Sequence, residues 1–166
     1  MKRYLIYSFV ILLVLVADQA SKMVALATVT EGPIYVWPFF NWVLVWNRGI
    51  SFGIFNDGQT VGPWLLSGFS LLIVAGLAVW LARVPNRVLG LAISAVIGGA
   101  LGNIIDRIRF GAVVDFIDVH AFGYHWPAFN IADSAIVLGI AFILADSLFF
   151  EPQRLQKAGN EADYDA

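Results

Sequence analysis

The sequence predicts an all-α membrane protein: four transmembrane helices with a small extracytoplasmic β-rich segment. The first observation behind this prediction is composition, since 60% of the residues are hydrophobic and only 13% are charged. Soluble domains are typically about 45–50% apolar and about 25% charged. The second observation is that four segments are apolar over the roughly 20 residues that a helix needs to cross a bilayer.

The four predicted spans are residues 4–27, 61–82, 88–105 and 131–150. A helix satisfies every backbone polar group within its own segment, which lipid requires. The spans form one domain over residues 1–150, and we expect the polar tail 151–166 to be disordered.

The positions of Lys and Arg predict the orientation of the spans. Six of the ten basic residues flank the spans on one side, which we assign to the cytoplasm together with both termini: Lys2, Arg3, Arg83, Arg87, Arg154 and Lys157. An alternative is that the N-terminus is a cleavable signal peptide, since Ala25-Leu26-Ala27 resembles a cleavage site. The polar block at residues 18–22, just where that helix would finish, argues against it.

Two segments connect the spans on the outer side. Residues 34–46 are rich in aromatic and β-branched side chains, which favour strands, and a β-like segment is expected over about 34–55. Residues 106–130 contain Pro127 and several aromatics, and we expect a loop or a short interfacial helix.

Two carboxylates lie where the third span ends and the fourth begins. Asp115 and Asp133 should reach the same outer depth, because the chain leaves the membrane near residue 106 and re-enters near 131. Two adjacent carboxyl groups share a proton, so that one can act as a base towards water and the other as an acid. The alternative is two interfacial carboxylates, solvated or paired with Arg107 and Arg109.

Other polar and small residues have simpler interpretations. The glycines in residues 98–102 favour close helix packing. Asp18 and Lys22 share one helix face and should neutralise each other, Asp106 should pair with charges from the loops, and Asp146 should make a helix–helix contact. His120 and His125 match no zinc spacing, so neither a metal nor a cofactor is expected. The absence of Cys excludes disulfides and a thiolate nucleophile, and the net charge of −2 gives no indication of nucleic acid.

Five sequence blocks occur in an order that resembles bacterial lipoprotein signal peptidase, also called signal peptidase II. They are Asp18-Gln19-Ala20-Ser21-Lys22, Asn47-Arg48-Gly49-Ile50-Ser51-Phe52-Gly53, the block 98–107, Val113-Val114-Asp115-Phe116, and Phe129-Asn130-Ile131-Ala132-Asp133-Ser134. Ser21 stands where the family usually has Thr, and Ser51 where Ala is common.

The resemblance implies an aspartic endopeptidase of the bacterial inner membrane, with its active site towards the periplasm. Asp115 and Asp133 would be the catalytic dyad, and the site would also use Asn47, Asn103, Arg107 and Asn130, supported by Asp18 and Lys22. Implied partners are membrane lipids, globomycin-type inhibitors and prolipoprotein substrates with a diacylglyceryl-modified Cys, cleaved just before that Cys.

Two rival functions remain open from the residues alone. A proton-coupled transporter component would use the acidic residues as a relay, although such sites usually lie near the bilayer midplane. A non-catalytic membrane scaffold would use the glycine-rich third span as its packing face.

Overall fold

The computed structural model describes residues 2–49, 61–154 and 156 and confirms the predicted fold class. It contains four helices that are long and apolar enough to span a membrane, and a small antiparallel sheet. In chain order the elements are α1 (Lys2–Thr28), β1 (Ile34–Trp37), β2 (Phe40–Asn47), α2 (Val61–Arg83), α3 (Arg87–Phe110), β3 (Val113–Ala121), β4 (Tyr124–His125) and α4 (Ile131–Ala145), followed by a π-helical turn (Asp146–Phe150).

Helix α3 is the centre of the bundle. In its most apolar stretch 61% of the residues are buried, against 17% in each of the other spanning helices, and it packs against all three of them. A side chain at Gly98 would place its Cβ 2.8 Å from the carbonyl oxygen of Ile11, and one at Gly99 would lie 2.5 Å from that of Ala132. These glycines therefore let α1 and α4 approach the backbone of α3 closely.

Helix α3 ends at Phe110, whereas the sequence predicted an end near residue 105. Gly111 terminates the helix in the left-handed conformation with φ 70°, and its N–H bonds the carbonyl oxygen of Arg107. The helix therefore includes Asp106, whose carboxylate is paired inside the bundle, 2.7 Å from the Lys22 ammonium. A charge paired in this way need not mark the end of a span.

The sheet has four antiparallel strands in the order β1-β2-β3-β4. The predicted strands within 34–46 are confirmed, while residues 50–55 of that prediction lie outside the described residues. The expectation of a loop or interfacial helix in 106–130 was wrong, because this segment supplies β3 and β4. Strand β3 is rich in β-branched residues and pairs with β2 from Asn47↔Val113 to Phe40↔Val119, a long-range pairing that local sequence does not reveal.

The predicted tail also begins later than expected. Residues 151–154 continue the helix, and the guanidinium of Arg154 donates two hydrogen bonds to Asp146, at 2.9 and 2.7 Å. Asn86, in the link between α2 and α3, donates a third bond to Asp146 at 3.3 Å. Asp146 therefore bonds its own helical segment and the residue that caps α3, which agrees with the predicted helix–helix contact.

Candidate active site

Asp115 and Asp133 lie in one hydrogen-bonded network at the end of the bundle that carries the sheet. Asp115 is on β3 with 1% of its surface exposed, and Asp133 is half-buried in the first turn of α4. Asn130 contacts both: its Nδ2 donates to Asp115 Oδ1 at 2.7 Å, and its backbone N–H donates to Asp133 Oδ2 at 3.3 Å. The structure thus brings the predicted pair together.

The alternative interpretation, in which these carboxylates pair with arginines, does not describe the site. Within residues 2–49 and 61–154, neither Arg107 nor Arg109 forms an ion pair shorter than 4.0 Å. Arg109 instead donates to the side-chain oxygen of Gln19, at 3.4 Å.

Asn130 is fully buried and also starts helix α4. Its extended backbone and side chain form a capping box, in which Asn130 Oδ1 accepts the N–H of Asp133 at 2.9 Å. Asn is among the best residues at this position, and a carboxylate in the first turn is favoured by the helix dipole. The local signal that begins α4 therefore also fixes the position of Asp133.

Two further asparagines complete the hydrogen bonding of the carboxylates. Asn47 Nδ2 donates to Asp115 Oδ2 at 2.9 Å, while its Oδ1 accepts the N–H of Gly49 at 2.8 Å. Asn47 thus bonds both the Asp115 carboxylate and the backbone two residues further on. Asn103 Nδ2 donates to Asp133 Oδ1 at 2.7 Å, so every carboxylate oxygen of the pair accepts an N–H.

A buried charge cluster lies beside Asn103. The predicted pairing of Asp18 with Lys22 is confirmed at 2.8 Å. Asp106 was expected to pair with charges from the loops, but it bonds the same Lys22 ammonium, at 2.7 Å. Sequence reasoning also missed Gln19, whose Nε2 donates to Asp106 at 2.9 Å. The sequence did contain a signal for the pairing of Asp106: carboxylates at membrane depth need partners, and Lys22 must serve both Asp18 and Asp106.

Arg107 lies next to this network. Its Nη1 donates to the carbonyl oxygen of Asn103 at 3.4 Å, and its buried Nε has no hydrogen-bond partner among the described residues. A buried donor without a partner is costly, so a ligand carbonyl at this position would be stabilised.

The two carboxylates of β3 have opposite electrostatic environments. Burial, assisted by the nearby charge of Asp133, raises the pKa of Asp115 to about 6 despite hydrogen bonds from Asn47 and Asn130. Burial acts in the same direction on Asp118, but hydrogen bonds from His125 and Asn41 outweigh it and lower the pKa of that group. Asp115 is therefore equipped to hold a proton close to neutral pH, as a general acid requires.

Because the pKa of Asp115 is raised, the stability of the wild-type protein should depend on pH in a way that the stability of Asp115→Asn does not. In the unfolded chain Asp115 titrates near its ordinary value of about 3.9, so the folded protein holds more protons between about pH 4 and 6. The contribution of this proton to the free energy of unfolding is fully present below about pH 4 and is lost as the pH rises through about 6. We expect the thermal midpoint of Asp115→Asn in detergent to rise by a few degrees relative to wild type across this window. A midpoint difference independent of pH would contradict the assignment.

The two histidines of the sheet belong to a separate cluster. His125 Nδ1 lies 2.9 Å from Asp118, and the rings of His120 and His125 stack with centroids 4.7 Å apart. In the part of the chain that the structure describes, no group of three or more His, Asp or Glu residues is arranged to hold a metal ion.

Comparison with known proteins decides the family. The family model described as Signal peptidase (SPase) II matches residues 10–149. The chain belongs to the signal peptidase II family. A protein of Methylobacterium radiotolerans named lipoprotein signal peptidase is 44% identical over 83% of this chain and 82% of its own length. A protein of Acinetobacter baylyi with the same name is 40% identical over 89% of this chain and 84% of its own.

A solved structure of a bacterial membrane enzyme is similar to this chain, with a TM-score of 0.75 and 33% identity. The match covers 87% of this chain and 93% of the other. This member of the signal peptidase II family is accordingly a peptidase and a multi-pass bacterial membrane protein. Family membership does not favour the transporter or scaffold alternatives.

Proposed function

We propose that the protein is an aspartic endopeptidase that removes signal peptides from lipid-modified bacterial prolipoproteins, cutting just before the lipidated Cys. Asp115 and Asp133 are the catalytic dyad. The observation that carries this proposal is that Asn130 bonds both carboxylates at once, at 2.7 and 3.3 Å. The names of the relatives support the substrate class.

The environments of the two carboxylates suggest separate roles. Asp115 is the more buried and has the raised pKa, so it carries the shared proton and donates it to the scissile carbonyl oxygen. Asp133 accepts two N–H bonds and lies in the first turn of α4, which suits a carboxylate that takes a proton from water. The water oxygen bonds the carbonyl carbon and gives a tetrahedral diol. When this diol collapses, the C–N bond breaks, Asp133 gives its proton to the leaving nitrogen, and one hydroxyl of the diol returns a proton to Asp115, which restores the dyad.

The neighbouring polar groups bind the substrate backbone. Arg107 has a buried Nε–H without a partner among the described residues, and it lies beside Asn103. A carbonyl of the extended substrate would satisfy this donor, and the Asn47 side chain lies at the exposed edge of the site. Arg107, Asn103, Asn47 and Asn130 therefore position the peptide while the dyad acts, and globomycin-type cyclic peptides would compete for the same groups.

The substrate reaches the dyad from the lipid. Each acyl methylene buried in the bilayer contributes about 0.8 kcal/mol, so a diacylated precursor is held in the membrane before it meets the enzyme. The basic residues at the opposite end from the dyad favour an orientation in the bacterial inner membrane with both termini in the cytoplasm. The dyad then lies at the outer, periplasmic surface, where water is available.

The test uses purified protein in phospholipid vesicles and one precursor peptide with and without the diacylglyceryl group on its Cys. We expect cleavage of the lipidated form only, with a product mass that places the cut immediately before the modified Cys. A globomycin-type cyclic peptide should inhibit this cleavage. Equal cleavage of both forms, or a cut elsewhere, would reject the proposed substrate class.

A further inference from the structure

The charges of Asp18, Lys22 and Asp106 are almost completely buried, with 0%, 2% and 1% of each residue exposed. We call these three residues the triad. The Lys22 ammonium lies 2.8 Å from Asp18 Oδ2 and 2.7 Å from Asp106 Oδ2. Burying three charges is expensive even when they are paired, and apolar residues of similar size would often be as stable. The positions of their remaining hydrogen bonds indicate a role for the triad beyond stability.

Each triad carboxylate also binds the backbone next to a dyad residue. Asp18 Oδ1 accepts the N–H of Ala132, at 2.9 Å, immediately before Asp133. Asp106 Oδ2 accepts the N–H of Val114, at 3.1 Å, immediately before Asp115. Lys22 joins these two carboxylates, so the triad connects β3 to the start of α4 directly behind the dyad.

Lys22 also fixes the orientation of a side chain that contacts the dyad. Its ammonium donates to Asn103 Oδ1 at 3.0 Å, in addition to its two carboxylate contacts. An ammonium can only donate, so the oxygen of the Asn103 amide must face Lys22 and its nitrogen must face Asp133. The 2.7 Å bond from Asn103 Nδ2 to Asp133 Oδ1 therefore has a fixed polarity.

We propose that the triad is a positioning device for the reaction: it sets the separation of the two dyad carboxylates and keeps Asn103 as a donor to Asp133. This inference rests on the proposed function of Asp115 and Asp133. The triad residues act through the backbone N–H groups and Asn103, so they are positioning residues and not catalytic ones.

The test is the triple variant Asp18→Asn/Lys22→Met/Asp106→Asn. The new asparagine oxygens can still accept the N–H groups of Ala132 and Val114, but the link through Lys22 and the constraint on Asn103 are lost. We expect kcat for the lipidated precursor to fall by about 100-fold, because a small misplacement of reacting groups lowers the rate by about this factor. KM should change by less than about threefold. The pH dependence of kcat should also shift, because the variant removes the charges of Asp18, Lys22 and Asp106 next to the dyad, while Arg107 keeps its charge.

Controls separate positioning from loss of fold. The control variant Asp146→Asn/Arg154→Met removes an ion pair at the other end of the bundle, in which Asp146 is buried and Arg154 is exposed, and it should leave kcat and its pH dependence unchanged. Helix content and thermal midpoint are measured for every variant. If the triple variant unfolds, Asp106→Asn replaces it, because this variant breaks the ionic link between Lys22 and Asp106 but keeps the Lys22–Asp18 ion pair. Wild-type kcat and pH dependence in the folded variant, or unfolding of both triad variants, would overturn the proposal.

The experiment also shows which hypothesis has failed, the positioning role of the triad or the proposed function of the dyad. Asp115→Asn is assayed beside the triad variant with the same precursor. If Asp115→Asn still cleaves, the dyad itself is wrong. If it is inactive while the folded triad variant behaves as wild type, only the positioning role fails.

Discussion

Replacing Asp115 or Asp133 by asparagine is expected to lower the rate of precursor cleavage by roughly 1,000-fold or more. An amide can neither accept a proton from water nor give one to the scissile carbonyl, and general acid–base catalysis contributes about 10²–10⁴-fold for each group. The size of the side chain is unchanged, so the fold and substrate binding should persist. Cleavage is measured by the appearance of the released peptide, and binding by the amount of lipidated precursor that co-purifies with each variant in detergent, relative to detergent micelles without protein.

A suitable control for this experiment lies on the same strand. Asp118 is also a buried carboxylate of β3, but it bonds Asn41 at 2.8 Å and His125 at 2.9 Å instead of the asparagines of the site. We expect Asp118→Asn to keep nearly wild-type cleavage. Substantial activity in either dyad variant, or equal losses in all three, would mean that the dyad has been assigned wrongly.

Replacing Asn130 by serine should have the second largest effect, with a fall in kcat of about 100-fold. Serine is a good N-cap, so helix α4 should still begin at the same residue. Its short side chain cannot reach Asp115, and the 2.7 Å bond from Asn130 Nδ2 is lost. Asp115 then loses one of its two amide donors, and its carboxylate is no longer held next to Asp133. The measurements are kcat and the thermal midpoint of the same preparation.

Asn86→Ser provides the matched control because Asn86 caps α3 in the same way. Its side chain accepts the N–H groups of Val88 and Leu89, far from the dyad. Both variants should have midpoints within a few degrees of wild type, but only Asn130→Ser should lose activity. A fall in kcat of similar size in both variants would show that helix capping alone accounts for the effect.

Residue chemistry in the sequence predicted a large part of this site. Asp115, Asp133 and the Asp18–Lys22 pair stand out because carboxylates and lysines at membrane depth are costly and need partners. The role of Asn130 was available only from the family resemblance, since an asparagine before a helix is ordinarily read as a cap. In the structure one side chain performs both tasks, capping α4 and bonding Asp115.

Other features could not be predicted, because they depend on contacts between residues far apart in the chain. Asp106 was expected to pair with charges from the loops, yet it bonds Lys22 of α1, and Gln19 of the same helix bonds Asp106. Segment 106–130 was expected to be irregular, yet Val113–Ala121 forms a strand whose partner, β2, lies before helix α2. Neither pairing leaves a periodic signal in the local sequence.

By itself the sequence determined the four membrane helices, since lipid requires long apolar segments whose backbone groups are satisfied internally. It also determined which types of polar side chain are available at the end of the bundle that carries the sheet. Only the tertiary structure decided that Lys22 joins two carboxylates and that Asn130 joins two others. The reason is that hydrogen bonds act over about 3 Å, and only the packing of α1, α4 and the sheet around α3 brings these groups within that distance.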